Sequence, residues 1–320
     1  MTAPYLLRLL CLCLASFFVV NASLGLLLSV VSGRVIRMAA KMPPRSAAAL
    51  LFALRLLPSG LAAAAVGGFC VPSYLLLEPN AVSEHAGMAC LVMAALGASV
   101  WIASLFRAGR AVAASFRCHT SWRHAGLKKN GNLVVPSDAP LLALAGVFRQ
   151  RLVISQGVLE ALSGEELDVA LLHENAHRAS RDNLKRLLLV LAPGPLPFVS
   201  AVAALERAWT KLREWAADDE AVDGNPQRAV LLAQALVRVA RMGAAPRLSF
   251  LHTSLVADDQ ELSERIERLL HVEQASHEPL PRRNFGTPVA ALLLAGSLAI
   301  LLSWPETLAS VHRLLEQFLR

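Results

Sequence analysis

Three long apolar segments in the first third of the chain place the strongest constraint on its fold. They run from Tyr5 to Val31, from Ser46 to Leu77 and from Ala86 to Phe106. Each is long enough to cross the hydrocarbon core of a bilayer, which takes about 20 helical residues. Only 17% of the 320 residues are charged, whereas soluble domains usually carry about 25%. The sequence therefore predicts a mainly α-helical, polytopic membrane protein in contact with the lipid bilayer.

The charges between these segments predict how the chain is oriented. Four basic residues and no acidic residue follow the first segment, whereas the connection 78–84 after the second has two acids and no base. Six basic residues and no acid follow the third segment. Because basic loops stay on the cytoplasmic side, we expect the N-terminus outside and the chain after Phe106 in the cytoplasm. The basic residues are Arg34, Arg37, Lys41 and Arg45 in the first group and Arg107, Arg110, Arg117, Arg123, Lys128 and Lys129 in the second.

A cleaved signal peptide is the alternative interpretation of the first segment, since Asn21-Ala22-Ser23 offers a small-residue cleavage site. The start of the segment has only Arg8 as a basic residue, and the apolar run continues past the cleavage site. Cleavage would also place the basic connection 32–45 outside, against the charge rule. A membrane-spanning helix is therefore the favoured interpretation.

The net charge of +7 is compatible with binding to nucleic acid, but the basic residues stand beside apolar segments. Membrane topology explains that placement, so we expect no nucleic-acid partner. The five cysteines contain no C-x-x-C pair, and four lie in apolar runs. They predict neither a disulfide framework nor a cysteine metal site.

Two more apolar segments lie later in the chain. Val289–Trp304 follows two arginines and predicts a fourth span, with residues 306–320 as a short external helix that leaves the C-terminus outside. The run 187–205 is interrupted by prolines, and each half covers only about 10–15 Å as a helix. A single crossing there would separate the motifs on its two sides. We interpret it as a buried or re-entrant hairpin, with a plain helix pair in a soluble core as the alternative.

Residues between the third segment and the fourth predict short strands followed by helices. Leu133–Val135, Leu142–Val147 and Leu152–Ile154 favour strands and are separated by proline and glycine. An edge of this sheet could pair with an extended substrate, or the sheet could only cover the helices, and both interpretations remain open. Helices are predicted over 206–223, over 226–241 and over 260–272, the last with Leu262, Ile266, Leu269 and Leu270 on one face.

An H-E-x-x-H motif lies at residues 173–177. Residues four apart share one face of a helix, so the imidazoles of His173 and His177 can bind one Zn²⁺ ion. Glu174 is placed to take a proton from water that the metal activates. Ser163 begins the S-x-x-E pattern of a capping box, which predicts a well-nucleated helix that carries the motif. Asn175 points away from the metal face, and we expect it to hydrogen-bond a neighbouring element.

A catalytic zinc site has three protein ligands and one open position, so a third ligand must come from elsewhere. Glu214, on the predicted helix 206–223, is the best candidate. Asp218 lies one turn further on the same face, where it can accept the free N–H of a ligating histidine and orient the ring. We therefore predict one zinc ion per chain.

Two further roles follow less directly from the motifs: that of Asp182 and that of the group that stabilises the oxyanion. Asp182 is a weaker candidate for orienting a ligand, and a salt bridge with Arg178 or Arg181 is the favoured interpretation of its position. A developing oxyanion also needs an electrophile beside the metal. Both tyrosines lie in or beside the membrane segments, so His252 or an arginine would have to serve.

The order and spacing of these motifs resemble the bacterial antirepressor-type membrane metallopeptidases, the BlaR/MecR-like family. The resemblance is carried by residues 147–159, 162–167, 173–177, 181–183 and 213–218. It implies a zincin-like α+β peptidase domain that is cytoplasmic and lies between the third and fourth spans. On that basis we expect a three-span membrane domain at 1–106, a metallopeptidase domain at 107–285 and a fourth span with an external tail at 286–320.

The resemblance also implies the site and the partners. By matching motifs, His173, His177 and Glu214 would bind zinc and Glu174 would be the catalytic acid and base. The protein would lie in the bacterial inner membrane and cut a protein or peptide, in the family a transcriptional repressor. The sequence gives no oligomeric state. It lacks the external penicillin-binding domain of the beta-lactam sensors, and Asn175 replaces the usual leucine.

Two other functions remain compatible with the sequence. The HtpX/CAAX-type membrane proteases, which act in quality control, share the H-E-x-x-H and E-x-x-x-D motifs. A non-proteolytic membrane signal transducer or scaffold could use the same fold to bind a partner. The match over 147–167 favours the antirepressor type among the enzymes.

Overall fold

Three helical segments of the computed structural model are long and apolar enough to cross a membrane: Tyr5–Ala39, Pro44–Leu77 and Met88–Trp122. These helices match the three predicted spans in position, each extended beyond its apolar core, and are candidate spans by length and composition. The structure describes residues 3–77, 87–125, 127–129, 132–194, 200–243, 253–254, 259–271 and 310. The predicted fourth span, the external tail, the acidic connection 78–84 and His252 lie outside these residues.

The first two spans form an antiparallel pair joined by a short turn. Helix α1 is Ala3–Ala39, and helix α2, Pro44–Ala65, begins with a proline whose fixed φ suits the first turn of a helix. A π-helical turn, Val66–Cys70, and helix α3, Val71–Leu77, continue the second span. Helix α4, Met88–Ala125, packs along α1. A Cβ at Gly97 would stand 2.3 Å from the carbonyl oxygen of Leu14, so only glycine permits this approach.

A five-stranded sheet follows α4. Its strands are β1, Leu127–Lys129; β2, Asn132–Val135; β3, Leu142–Ala145; β4, Arg151–Ser155; and β5, Thr253–Ser254. They are ordered β1-β2-β4-β3-β5, and only the β2–β4 pair is parallel. The three predicted strands are confirmed, whereas the two short edge strands were not anticipated. Strand β3 is buried along its whole length because it packs on the helices below it.

Helix α5, Gln156–Ala161, and helix α6, Gly164–Ala179, follow β4 directly. The predicted capping box is present: the Ser163 hydroxyl accepts from the Glu166 amide, and the Glu166 carboxylate accepts from the Ser163 amide. Arg238 also contacts the Glu166 carboxylate, at 2.9 Å. These contacts therefore fix the N-terminus of the helix that carries the H-E-x-x-H motif.

Four further helices complete the described chain: α7, Asp182–Leu191; α8, Ser200–Val222; α9, Pro226–Arg241; and α10, Asp259–Leu270. Asn225 caps α9, and its carboxamide oxygen accepts from the amides of Gln227 and Arg228. The predicted helices are confirmed, with α8 beginning six residues earlier than expected. Of the predicted apolar face of α10, Leu270 is exposed rather than buried.

Helix α8 packs against α1 and α2 as well as against α6 and α9. Its residues Leu205, Trp209 and Leu212 share a buried cluster with residues of α1 and α2. Glu206 of α8 accepts from Arg55 Nε of α2 at 2.8 Å. The predicted hairpin 187–205 thus corresponds to the end of α7 and the start of α8, with 195–199 outside the described residues. Its entry into the bilayer stays a prediction.

Candidate metal centre

Helices α6 and α8 bring three potential ligands together. The Nε2 atoms of His173 and His177 lie 3.1 Å apart, and each is 3.5 Å from the Oε2 atom of Glu214. All three side chains are buried. The two histidines share a face because they are four residues apart on α6, and α8 crosses that face. Glu214 was predicted as the third ligand, and the structure brings it to the histidines.

The distances between the three ligand atoms are close to those in a tetrahedral zinc site. Ligand atoms about 2.0–2.2 Å from a tetrahedral zinc ion lie about 3.3–3.6 Å from one another. The observed separations of 3.1 and 3.5 Å are close to that range. Two imidazoles and one carboxylate also form a donor set that catalytic zinc sites use, with a fourth position left for water or substrate. The residues present therefore fit a catalytic zinc ion.

A family model described as BlaR1 peptidase M56 matches residues 85–269. That match covers more than half of the 320 residues and includes every side chain of the centre. The chain belongs to the BlaR1 peptidase M56 family. None of the curated proteins compared with the chain matches it.

Family membership supports a membrane metallopeptidase of the BlaR1 type, and the three apolar helices agree with it. The match begins just before α4, so it includes the third span and the peptidase helices but neither α1 nor α2. The resemblance noted from the motifs is thus confirmed.

Glu174 lies inside the centre and has no partner. Its side chain has no exposed surface, and neither carboxylate oxygen makes a hydrogen bond within the described part of the chain. Burial raises the pKa of Glu174 to about 7, although the two nearby histidines act in the opposite direction. A carboxylate with such a pKa, close to a metal centre, can both accept and return a proton near neutral pH.

Asp218 contacts the first histidine, at the position predicted for it. Its Oδ1 atom lies 2.9 Å from Nδ1 of His173, so the Nε2 atom of the ring faces Glu214. Arg265 of α10 holds the same carboxylate through two hydrogen bonds, Nε to Oδ2 at 2.9 Å and Nη2 to Oδ1 at 2.7 Å. Although burial opposes it, Arg265 and His173 lower the pKa of Asp218 to about 2.

The contact with Asp218 also changes the protonation of His173. Burial by itself lowers the pKa of His173, but the carboxylates of Asp218 and Glu214 outweigh it and raise that pKa to about 9. In the metal-free centre this histidine therefore carries a proton at neutral pH. A metal ion has to displace that proton in order to bind.

Asp182 orients the second histidine, which corrects our interpretation of its position. Its Oδ2 atom lies 2.7 Å from Nδ1 of His177, and its Oδ1 atom lies 3.4 Å from Lys185 Nζ. No salt bridge joins it to Arg178 or Arg181. Despite its burial, the contact with His177 lowers the pKa of Asp182. Both imidazoles thus have a carboxylate behind them, which fixes the ring orientation and the tautomer.

Arg213 holds the third ligand from its own helix. Its Nη2 atom donates to Oε1 of Glu214, which leaves Oε2 facing the histidines. Burial alone would raise the pKa of Glu214, but Arg213 and the histidines hold it well below its usual value. The Arg213 guanidinium also stacks over the Trp209 ring, 5.5 Å from its centroid. Glu214 therefore stays ionised, with Arg213 at Oε1 and Arg265 Nη1 3.5 Å from Oε2.

The remaining predicted residues are not part of the centre. Asn175 is exposed and makes no hydrogen bond within the part of the chain that the structure describes, so the expected hydrogen bond is absent. Tyr5 and Tyr74 contact each other within the membrane helices. His252 lies outside the described residues.

Sequence reasoning missed Arg265 and the role of Arg213. One signal was available for Arg265, because it lies between Leu262 and Leu269 at helical spacing. An arginine on the buried face of an amphipathic helix needs a buried anionic partner. No comparable signal marked Arg213, since its neighbour Glu214 was already assigned as a ligand.

Proposed function

We propose that this protein is an integral membrane zinc endopeptidase. The observation that carries the proposal is the approach of the two histidines and Glu214 to within 3.1–3.5 Å beside a buried carboxylate without a partner. Membership of the BlaR1 peptidase M56 family supports a metal-dependent hydrolase acting on proteins. Zinc is the metal that this donor set fits best.

In this proposal His173, His177 and Glu214 would hold one zinc ion per chain. When bound, zinc lowers the pKa of water and polarises a carbonyl group. Glu174 takes the proton of the attacking water and returns it to the leaving amine, a cycle suited to its pKa of about 7. Asp218 keeps the His173 ring oriented throughout, because Arg265 holds both oxygens of that carboxylate.

The proposal extends to topology. The basic groups after the first and third spans favour a cytoplasmic metal centre and an external N-terminus in the bacterial inner membrane. A fourth span at 289–304 would place the C-terminus outside. The zincin-like domain would then occupy residues 107–285, with the apolar hairpin 187–205 pressed into the membrane helices. The contact between Asn21 of α1 and the carbonyl of Pro193 supports that placement of the hairpin.

The family match supports a regulatory role, in which the enzyme cuts a cytoplasmic repressor or another signalling protein. A quality-control protease of the HtpX/CAAX type and a non-proteolytic signal transducer use overlapping motifs. Both are tested by the same experiment, because a quality-control protease predicts many cleavage products and a non-proteolytic transducer predicts none.

The test uses the full-length protein, purified in lipid nanodiscs, as wild type, Glu174→Gln and His177→Ala. Each is incubated with a peptide library prepared from a bacterial proteome, and new peptide termini are identified by mass spectrometry. Zinc content is measured on the same samples. We expect wild type to bind one zinc ion and to cut, Glu174→Gln to bind zinc without cutting, and His177→Ala to do neither.

Cleavage by Glu174→Gln at the wild-type rate would contradict the assignment of the base. Zinc binding without cleavage by the wild type would favour the signal transducer or scaffold. In cells, comparison of wild type with Glu174→Gln should show loss of one or a few specific products for a regulatory peptidase. Loss of many unrelated products would instead favour quality control.

A further inference from the structure

A cavity of about 440 Å³ lies beside the metal centre. Arg178, which follows the ligand His177, and Arg181, which precedes Asp182, line one side. The loop between β3 and β4 lines the other side and contributes Phe148, Arg149 and Gln150. Every charged residue of the lining is therefore basic.

Among the described residues, the side chains of this cavity offer hydrogen-bond donors that no protein group accepts. None of the three arginines forms an ion pair within the described residues, and the side-chain amide nitrogen of Gln150 is buried without a hydrogen bond. The three arginine side chains are exposed, and their like charges give this surface a positive potential that attracts anions. Guanidinium groups donate hydrogen bonds to phosphate and carboxylate groups. A ligand with a negative, oxygen-rich group fits it.

The height of the cavity relative to the membrane follows from helix α7. One end of α7 approaches the middle of the first span, where Asn21 Nδ2 lies 3.4 Å from the carbonyl oxygen of Pro193. The other end is Asp182, and α7 is only about 15 Å long. Along α1, the last residue of the apolar segment, Val31, also lies about 15 Å from Asn21. Asp182 therefore lies close to the edge of the hydrocarbon core or within it.

The loop between β3 and β4, which forms the other wall of the cavity, lies at the same depth in the membrane as Asp182. Asn183, the second residue of α7, donates from Nδ2 to the carbonyl oxygens of Leu144 and Gly146, at 3.0 and 2.8 Å. Gly146 has a φ of +96°, a conformation that turns the loop and favours glycine. Phe148, two residues further, is 83% exposed. An exposed phenyl ring at the edge of the hydrocarbon core is suited to the boundary between the headgroups and the acyl chains.

We propose that this cavity binds the headgroup of an anionic phospholipid. The phosphate would accept hydrogen bonds from Arg149, Arg178 and Arg181, and Phe148 would lie against the upper part of the acyl chains. By the charge rule this is the cytoplasmic leaflet, the leaflet whose anionic lipids attract basic side chains. The proposal concerns a ligand next to the metal centre and does not depend on proteolysis. An acidic peptide would satisfy the arginines too, but it would not account for Phe148 at the level of the membrane edge.

The experiment uses full-length Glu174→Gln protein in nanodiscs that contain equal amounts of phosphatidylcholine and phosphatidylglycerol. Native mass spectrometry then counts the lipids that each protein retains. We expect about one phosphatidylglycerol retained selectively. Arg149→Gln, Arg178→Gln and Arg181→Gln should each weaken its binding about fivefold. Arg241→Gln removes an exposed arginine at the end of α9 and is the matched control, expected to bind as the parent does.

Several outcomes would overturn the proposal. Equal retention of both lipids by the parent protein would do so whatever the variants show, and so would phosphatidylglycerol retention in the three cavity variants equal to that of Arg241→Gln. Inorganic phosphate and a hexaglutamate peptide are tested in nanodiscs of phosphatidylcholine alone. If either one binds with the same dependence on the arginines while phosphatidylglycerol is not retained, the ligand is a soluble anion. Phe148→Ser keeps every charge, and unchanged retention by this variant would contradict the assigned position of the ring.

Discussion

Arg265 and Asp218 are separated by 47 residues in sequence, yet their side chains are joined by two hydrogen bonds of 2.7 and 2.9 Å. Both side chains are buried, and Oδ1 of Asp218, which accepts from Arg265 Nη2, also lies 2.9 Å from Nδ1 of His173. Arg265 Nη1 lies 3.5 Å from Oε2 of Glu214, so α10 is connected to the metal centre through two carboxylates. A carboxylate that an arginine holds through both oxygens orients the ligand more firmly than one that contacts only the histidine.

Replacing Arg265 by methionine should lower both the stability of the protein and its affinity for zinc. The change leaves a buried carboxylate without its counter-ion, which typically costs about 3–5 kcal/mol in the free energy of unfolding. We also expect zinc affinity to fall about 10–100-fold, as it does when the partner of a metal-binding histidine is lost. Denaturant unfolding and a competitive zinc titration measure the two effects.

The neighbouring pair Arg268–Asp219 supplies the control. It joins the same two helices at 2.6 Å but is partly exposed, with side chains 28% and 38% accessible. Arg268→Met should cost less than about 1 kcal/mol and leave zinc affinity unchanged, because exposed ion pairs contribute little. If the two methionine variants lost zinc affinity equally, the role of Arg265 in the centre would be refuted.

A second prediction concerns Asp182, which was first interpreted as part of a surface salt bridge. Asp182→Asn keeps the size of the side chain but weakens the hydrogen bond to His177. Zinc affinity should fall about 10–100-fold. Asp223→Asn, at the exposed end of α8, is the matched control and should bind zinc normally. Equal affinities for the two variants would show that Asp182 does not orient the ligand.

A third prediction concerns Arg55, a buried cation about 16 Å along the second span from Pro44. Its partner is Glu206, two turns before the ligand Glu214 on α8. Charged groups within a span are costly unless paired. Glu206→Gln should therefore lower thermal stability in nanodiscs, and the exchanged pair Arg55→Glu with Glu206→Arg should restore much of it. A double variant no better than the single ones would show that the pair is not coupled.

A fourth prediction concerns pH. The pKa of His173 is raised to about 9, so its contact with Asp218 stabilises the metal-free protein fully below about pH 6.5, and this stabilisation is lost as the pH rises through 9. The raised pKa of Glu174, about 7, acts in the same direction between about pH 4.5 and 7. The metal-free protein should therefore become less stable from pH 5 to 9, as measured by denaturant unfolding in the presence of a chelator.

Zinc binding should show the opposite dependence on pH. Below about pH 9 the ion displaces a proton from His173, so zinc affinity should rise about tenfold per pH unit over that range. Competition with a chelator of known affinity at several pH values gives the slope. A zinc affinity that does not change between pH 7 and 8.5 would contradict the protonation assigned to His173.

Much of the centre could be predicted because its residues are close in sequence or repeat at helical spacing. His173 and His177 are four apart on a capped helix, and Glu214 and Asp218 are four apart on another. Such pairs have to share a face. Only the crossing of the two helices was left open, and the chemistry of a three-ligand site supplied it.

Asp182 could not be placed in the same way. It is five residues from His177, which on a continuous helix would put the two on different faces. The helix breaks at Ser180, and Arg181 adopts a left-handed conformation with a φ of 53°. That turn brings Asp182 back under the ring. A left-handed arginine is uncommon, so the sequence contains no signal for the break.

Contacts between segments far apart in the chain also could not be predicted from the sequence. Strand β5 pairs with β3 across more than a hundred residues, and Arg265 reaches Asp218 from a helix whose position depends on that fold. The early start of α8 has a comparable cause. Leu205, near its start, packs with residues of α1 and α2, a contact that the sequence does not reveal.

The packing of α8 on both sets of helices limits how the protein can be divided into fragments. A fragment that begins after the third span would keep all the ligands but would uncover the face of α8 that bears Leu205, Trp209 and Leu212. Water would then contact a hydrophobic surface next to Glu214, and such surfaces drive aggregation. The helices that carry the ligands and the helices α1 and α2 therefore form one structural unit. A change in α1 or α2 that disturbs this packing also affects the surroundings of Glu214.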